Sequence, residues 1–311
     1  PTARCSSAET EWMPDADPDA NAEPDRSVNA DTTPFAPAID AHVHVFPERL
    51  ANAIQRTLTE ETGWEFPHRP TREATETTLA DAGVERYIAL PYVHEPGGAR
   101  SLNAWLAERA AASEPLIPFA TVHPDDEDVG GIVRDAFEAG ARGLKFHCPV
   151  QECAPADSRI EPALDAAAEY DRPITYHGGT APMYDDSPNV GAEVFAEVVE
   201  SYPDVRVNCA HMGTYEVSAF VGMAREHDNV YLDTTFAMST EAEQTMGFDP
   251  STIADDTLVE LSESIMFGSD LPNIPYPYRA ERAGLLGRDL PTETYRNIFY
   301  RTAEEFLGVD A

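Results

Sequence analysis

Lysine is almost missing from this chain. Lys145 is the single one among 311 residues, and every other strong cation is an arginine. Acidic residues outnumber basic ones 56 to 21, for a formal net charge of −35. Phosphate backbones and anionic lipid headgroups repel such a surface, so neither nucleic acid nor a membrane is an expected partner. Carboxylate excess together with lysine loss is the composition expected of a salt-loving organism that keeps molar salt in its cytoplasm. There, ions screen a self-repulsion that dilute buffer leaves standing. No apolar run is long enough to span a bilayer, and no charged start leads into an apolar core. A cytoplasmic protein is expected. Cysteine is scarce too: Cys5, Cys148, Cys153 and Cys209 are too few and too scattered for a disulfide framework. They read as free thiols in a reducing compartment. Two motifs are also lacking. No GxGxxG follows an early strand, which removes support for a dinucleotide fold. No GxSxG occurs, which removes support for a serine nucleophile on a strand-to-helix elbow.

Residues 1–38 are rich in Pro, Ala, Asp, Glu, Ser and Thr with no sustained apolar period, and are expected to be a disordered acidic tail. From Ile39 a rhythm sets in of short apolar strand followed by helical stretch. Strands are expected at 39–45, 84–92, 116–123, 141–148, 173–178, 205–211, 230–235 and 265–270. Helical runs are expected at 99–112, 125–139, 159–170, 190–202, 217–227, 257–264 and 292–307. Eight strands alternating with helices make a single-domain α/β protein over 39–311, a closed (β/α)8 TIM barrel. An open doubly wound sheet is the runner-up. Segment 47–83 is long for one crossover and is expected to form an insertion over the barrel mouth.

In such barrels chemistry sits where strands end. Seven of the nine histidines fall at the expected C-terminal ends of strands: His42, His44, His94, His123, His147, His177 and His211. His42 and His44 are separated by one residue, so on a strand their rings project side by side, which is half of a metal site. Lys145 and His147 share a face in the same way on the fourth strand. Asp233 ends the seventh strand and Asp270 the eighth. Asp40 precedes the histidine pair on its strand and is placed to orient it. Its bland reading is a buried carboxylate satisfied by backbone donors. For His123, contact with substrate or support of a ligand stands level with a structural role. Tyr276 follows the last ligand candidate closely enough to wall a pocket, or simply to pack its own loop.

His42-x-His44, Lys145, His177, His211 and Asp270, in that order on strands one, four, five, six and eight, resemble the amidohydrolase superfamily. The strings IDAHVHVFP, GLKFHCP, ITYHGG, CAHMG and FGSDLPNIPYPY resemble its amidohydrolase-related branch. That branch holds uncharacterised metal-dependent hydrolases and the aminocarboxymuconate-semialdehyde decarboxylase group. The resemblance implies that His42, His44, His177 and Asp270 bind a divalent metal, zinc first and manganese second. It implies that Asp270 takes the proton from water and that His211 polarises the substrate carbonyl. Lys145 is implied either to be carboxylated, bridging two metals, or to remain an ammonium beside a single one. One metal is the expectation, with Lys145 and His147 lining the site.

Three readings follow. The first is a metal-dependent hydrolase of an amide, lactone or ester of a small molecule. The second is a non-oxidative decarboxylase of a small unsaturated or aromatic acid that uses the same cage. The third, a purely structural metal, is disfavoured because structural zinc sites close all four positions with protein ligands. A homodimer is a common form for such enzymes. The charge balance generates a testable outcome. The circular-dichroism signal is expected to collapse in dilute buffer and to persist in molar potassium chloride. A full signal at low ionic strength would contradict salt adaptation.

Overall fold

The structure, a computed structural model, describes residues 37–308 apart from Pro182 and Asp185. The expected tail therefore lies outside the described residues except for its last two positions, and Ala38 already opens the first strand. Eight strands follow in chain order: β1 Ala38–Val43, β2 Val84–Ala89, β3 Leu116–Pro118, β4 Leu144–His147, β5 Ile174–His177, β6 Val207–Cys209, β7 Val230–Asp233 and β8 Ile265–Met266. All neighbouring pairs are parallel, in the ladders β1-β2-β3 and β4-β5-β6-β7-β8. Two seams join the ladders. Lys145 N–H donates to Ala120 O and Ala120 N–H to Gly143 O, each at 2.8 Å, which ties β3 to β4. Ala41 N–H donates to Phe267 O and His44 N–H to Leu271 O, each at 2.8 Å, which ties β8 back to β1. The barrel is closed, as the strand count leads one to expect.

Helices occupy the connections: α1 Glu48–Thr62, α2 Arg72–Asp81, α3 Ala99–Ala110, α4 Val129–Glu138, α5 Glu161–Glu169, α6 Ala192–Ser201, α7 Val217–Glu226, α8 Ala242–Met246, α9 Asp255–Glu260, α10 Arg279–Leu286, α11 Thr292–Arg296 and α12 Thr302–Leu307. Their ends carry local signals. Thr71 accepts from Ala74 N–H at the start of α2, and Asp128 accepts from Gly131 N–H at the start of α4. Gly63 closes α1 in the left-handed conformation, φ 73°. Segment 47–83 is filled by α1 and α2.

Two differences from the sequence expectation have physical causes. The run expected as one helix over 292–307 is interrupted by a π-helical stretch, Asn297–Arg301. That stretch releases a carbonyl from the helix ladder, and Ile298 O accepts Phe267 N–H at 2.7 Å beside the closing seam. Helix α10 is absent from the expected list, because its sequence, RAERAGLL, is only eight residues long and follows the proline-rich Pro275-Tyr276-Pro277.

The core forms where strands meet the surrounding helices. A second cluster gathers Ile39, Ala41, Ile88, Leu90, Ile117, Phe119, Tyr231 and Met266 against Ala303, Phe306 and Leu307 of α12. Cys148, Cys153 and Cys209 are buried free thiols, and Cys5 lies outside the described residues. Among the described residues, no helix is long and apolar enough to cross a membrane.

Gly268, just past β8, lies where β1, β7 and β8 crowd together. A Cβ on it would stand 2.5 Å from Thr235 Oγ1 and 2.8 Å from the His42 Cβ. Gly268→Ala is expected to cost about 1–3 kcal/mol of stability through overpacking. It should also displace His42. Calorimetry of the variant checks the first outcome, and an unchanged melting temperature would refute the tight fit.

Candidate metal centre

The seam between β8 and β1 brings the ligand candidates together. Asp270 N–H donates to His42 O at 2.8 Å, so residues 228 positions apart in sequence share one end of the barrel. Asp270 sits at φ 63°, in the left-handed region, and this turns its carboxylate away from the continuing strand direction. His44 Nε2 then lies 2.8 Å from Asp270 Oδ1, and His42 Nε2 lies 3.7 Å from the same oxygen.

The other nitrogen of each ring is already committed. His42 Nδ1 is 3.0 Å from Asp233 Oδ2, and His44 Nδ1 is 2.7 Å from Leu90 O. Both partners accept only, so each Nδ1 carries its proton and each Nε2 is the ring atom that faces Asp270. Two imidazole nitrogens and a carboxylate oxygen thus converge on one point. Asp270 Oδ1 has no aligned hydrogen-bond partner despite its burial. Three converging acceptors suit a cation, and an Nδ1–H held by a carboxylate or a carbonyl is the usual support for a metal-binding imidazole. The donor set, two nitrogens and one carboxylate oxygen, suits zinc or manganese. These ligand atoms lie within 4.8 Å of one another.

His177 stands beside this group rather than within it. Its Nδ1 is 3.1 Å from His211 Nε2, and its own Nε2 is buried without a partner. If the proton between them belongs to His177 Nδ1, His177 Nε2 is a free lone pair and His211 keeps an Nδ1–H. His211 also belongs to a second cluster of potential ligands, with His42 and Asp233. Its backbone, at φ 60°, is left-handed like that of Asp270.

Asp233 is the residue that sequence reasoning noted at a strand end without giving it a role. It is fully buried, and it accepts from His42 Nδ1–H, from Asn208 Nδ2 at 2.9 Å and from His211 N–H at 3.0 Å. Burial alone raises its pKa. The opposing pull of His42, with smaller help from His211 and Asn208, wins and holds the carboxyl well below its ordinary value. Asp270 is likewise held low, because His44 and His42 outweigh its burial. The imidazoles shift the other way. Burial lowers His44 and drives His147 and His177 well down, and it brings His211 to about 4. The rings are therefore neutral at neutral pH and available as ligands or hydrogen-bond partners.

Lys145 is fully buried, with no hydrogen-bond partner for Nζ. Burial lowers its pKa to about 8, against the attraction of Asp233 and Asp270. His147 stacks on His177 with ring centroids 4.4 Å apart and leans on Tyr92 at 4.8 Å.

The remaining candidates are placed less centrally. The strand register shifts between Asp40 and Val43, which interrupts the alternation that would set Asp40 beside the two histidines. Asp40 instead accepts from the His42 N–H at 3.1 Å and from the Tyr278 hydroxyl at 3.0 Å, and burial raises its pKa to about 7. It fixes the backbone of His42, not the rings. His123 is folded into its own turn, where its Nδ1 accepts from Asp125 N–H at 3.2 Å and its N–H donates to Asp126. His94 is exposed. The Tyr276 hydroxyl donates to Glu281 Oε1 at 2.5 Å while its ring meets Phe236.

A small pocket opens over the cluster. His44, His147, His177, His211 and Asp270 form its polar side; Trp64, Tyr92, Tyr184 and Phe236 form aromatic walls. Trp64 and Leu58 come from the segment between β1 and β2. The aromatic walls were illegible beforehand, because a lone Trp or Phe in a loop carries no periodicity that distinguishes pocket from packing.

The sequence model described as amidohydrolase matches residues 39–309. No curated protein matches the chain. Among solved structures, an uncharacterised TIM-barrel protein of Bordetella bronchiseptica is similar at 17% identity and TM-score 0.67, covering 87% of this chain and 98% of that one. A protein solved as amidohydrolase II is similar at 19% identity and TM-score 0.63, covering 87% of this chain and 99% of that one. The 5-carboxyvanillate decarboxylase of Novosphingobium aromaticivorans, solved with manganese and a nitrobenzoic acid, is similar at 16% identity and TM-score 0.59, covering 87% and 96%. At these identities the solved structures speak for the fold alone.

Asp233→Asn keeps the shape of the side chain but weakens its hold on His42. It is expected to reduce affinity for zinc or manganese by about 10–100-fold. Competition against a chromogenic chelator measures this, and unchanged affinity would remove Asp233 from the site.

Proposed function

This chain belongs to the amidohydrolase family, and on that premise we propose that it is a metal-dependent hydrolase that cleaves an amide, lactone or ester of a small molecule with an activated water. The observation that supports this reading is the meeting of His42 Nε2, His44 Nε2 and Asp270 Oδ1 at one end of the barrel, with both imidazole nitrogens within 3.7 Å of the carboxylate oxygen. His42, His44 and Asp270 would hold one divalent cation, zinc first, with His177 Nε2 as the neighbouring lone pair. Such a cation supplies Lewis acidity and lowers the pKa of water toward ~7.

The rest of the work falls to the chain itself. Asp270 stays ionised at neutral pH, because its histidine neighbours hold its pKa down. It is thus ready to take a proton from water. His211, neutral and with its Nδ1 unpartnered, is placed to donate to the oxyanion that develops on a carbonyl oxygen. Asp233 and the Leu90 carbonyl keep His42 and His44 in the required tautomer. The aromatic walls exclude water and grip an apolar body. Lys145 lies beneath as an ammonium facing Asp233 and Asp270.

A second reading is favoured by those same walls. A small unsaturated or aromatic acid would lie flat against Trp64, Tyr92 or Phe236. The bond from its ring carbon to the carboxylate would break, carbon dioxide would leave, and a proton would return to that carbon. The likeness to a manganese-bound decarboxylase supports it. Incubation with ester, lactone, amide and aromatic-acid panels in molar salt, with carbon dioxide monitored, separates the two.

Chelation is expected to abolish turnover, and zinc or manganese to restore it. Asp270→Asn is expected to leave the circular-dichroism spectrum intact while lowering kcat by about 10²–10⁴-fold. Full activity in that variant would overturn the assigned role.

A further inference from the structure

Glu281 lies on α10, outside the ligand cluster, with only 1% of its surface exposed. A buried carboxylate without a cation is costly, and one is retained where it holds something in place. Burial pushes its pKa well above the ordinary range, so no charge need be maintained there. Its Oε1 accepts from two directions: the Tyr276 hydroxyl, on the loop after β8, at 2.5 Å, and the Phe236 N–H, on the loop after β7, at 3.3 Å.

Phe236 needs such a tether. Its φ is 57°, a conformation that a bulky residue holds only when its surroundings impose it. That backbone setting aims the ring into the pocket, where it stacks on Trp64 at 5.8 Å and 26° and meets His211 edge-on at 5.7 Å and 69°. Helix α10 backs the same loop at two further points. Ala280 O accepts from Thr240 N–H at 3.2 Å, and Gly284 passes so close to the Met238 carbonyl that no side chain would fit there.

We propose that Glu281 is a positioning residue: by joining Phe236 N–H to the Tyr276 hydroxyl it locks the loops after β7 and β8 together and fixes the Phe236 ring as the flat wall on which a conjugated substrate stacks. The proposal rests on the reading of this pocket as the substrate site, but not on which bond is broken there. Glu281 touches no substrate; it acts through Phe236.

Binding, measured apart from turnover, tests it. The probes are 3-nitrobenzoate, which is flat, and cyclohexanecarboxylate, which is not, titrated against the zinc-loaded full chain in molar salt by calorimetry. Glu281→Leu replaces the carboxyl by an apolar group of similar size and is expected to weaken nitrobenzoate by about fivefold, the worth of one aromatic contact. Cyclohexanecarboxylate should change by less than about twofold, since it gains nothing from stacking. Glu281→Gln keeps an acceptor for both donors and should restore the preference for the flat probe. An unchanged ratio of the two affinities in folded, zinc-loaded Glu281→Leu would overturn the proposal. If that variant does not fold, Phe236→Leu carries the test of the wall and Glu281→Gln that of the strut. A retained planar preference in the first, or a lost one in the second, would overturn it. Failure of the hydrolase reading shows separately, as absent turnover with the planar preference intact.

Discussion

Three electron-rich atoms share one small space in this protein, and most of the site follows from the need to keep them there. His42 Nε2 and His44 Nε2 lie 3.7 and 2.8 Å from Asp270 Oδ1, close enough for one positive charge to join all three. Burial disfavours the charged form of His44, and Asp270 pulls the other way. The chain therefore fixes the arrangement from outside. Asp233 and the Leu90 carbonyl hold the far nitrogens, and the backbone bond from Asp270 to His42 holds the carboxylate at the correct height. A cluster fixed in this way is ordered in advance, which would lower the ordering cost of binding a cation there.

Three of the non-glycine residues with left-handed backbone lie in the same place. His211, Phe236 and Asp270 all adopt left-handed φ values of 60°, 57° and 63° without being glycine. Each such residue costs on the order of 1–3 kcal/mol and persists only when its neighbours impose it. Asp233 restrains His211 through its N–H, Glu281 restrains Phe236, and the β8–β1 seam restrains Asp270. The strain is thus tied to three separate tethers, which makes the mouth rigid where loops are ordinarily soft.

Outside, the electrostatics are of another kind. Arginines are spent on exposed carboxylates, as where Arg159 reaches Asp125 at 2.9 Å and Asp157 at 2.7 Å. Such exposed pairs contribute little individually. They leave most of the formal charge of −35 unbalanced, and salt screens what remains. The buried site is screened much less, because its charged groups lie at short range in a low-dielectric interior.

The eight strands were legible because each is an apolar run of the correct length between helical stretches, and burial on both faces preserves that signal. The residues His42, His44, Lys145, His177, His211 and Asp270 were legible for the related reason that strand ends are where a barrel displays polar groups. Sequence by itself determined the repeating strand–helix order, the acidic surface and the identity of the polar residues at the strand ends. It could not decide which of them touch. Only the closed barrel put Asp270 against His44, left His177 next to His211, bound Asp40 to the His42 N–H and the Tyr278 hydroxyl, folded His123 into its own turn and raised Asp233 to the centre. Those outcomes depend on backbone register and loop conformation across segments far apart in the chain, and a linear pattern carries no information about such distances.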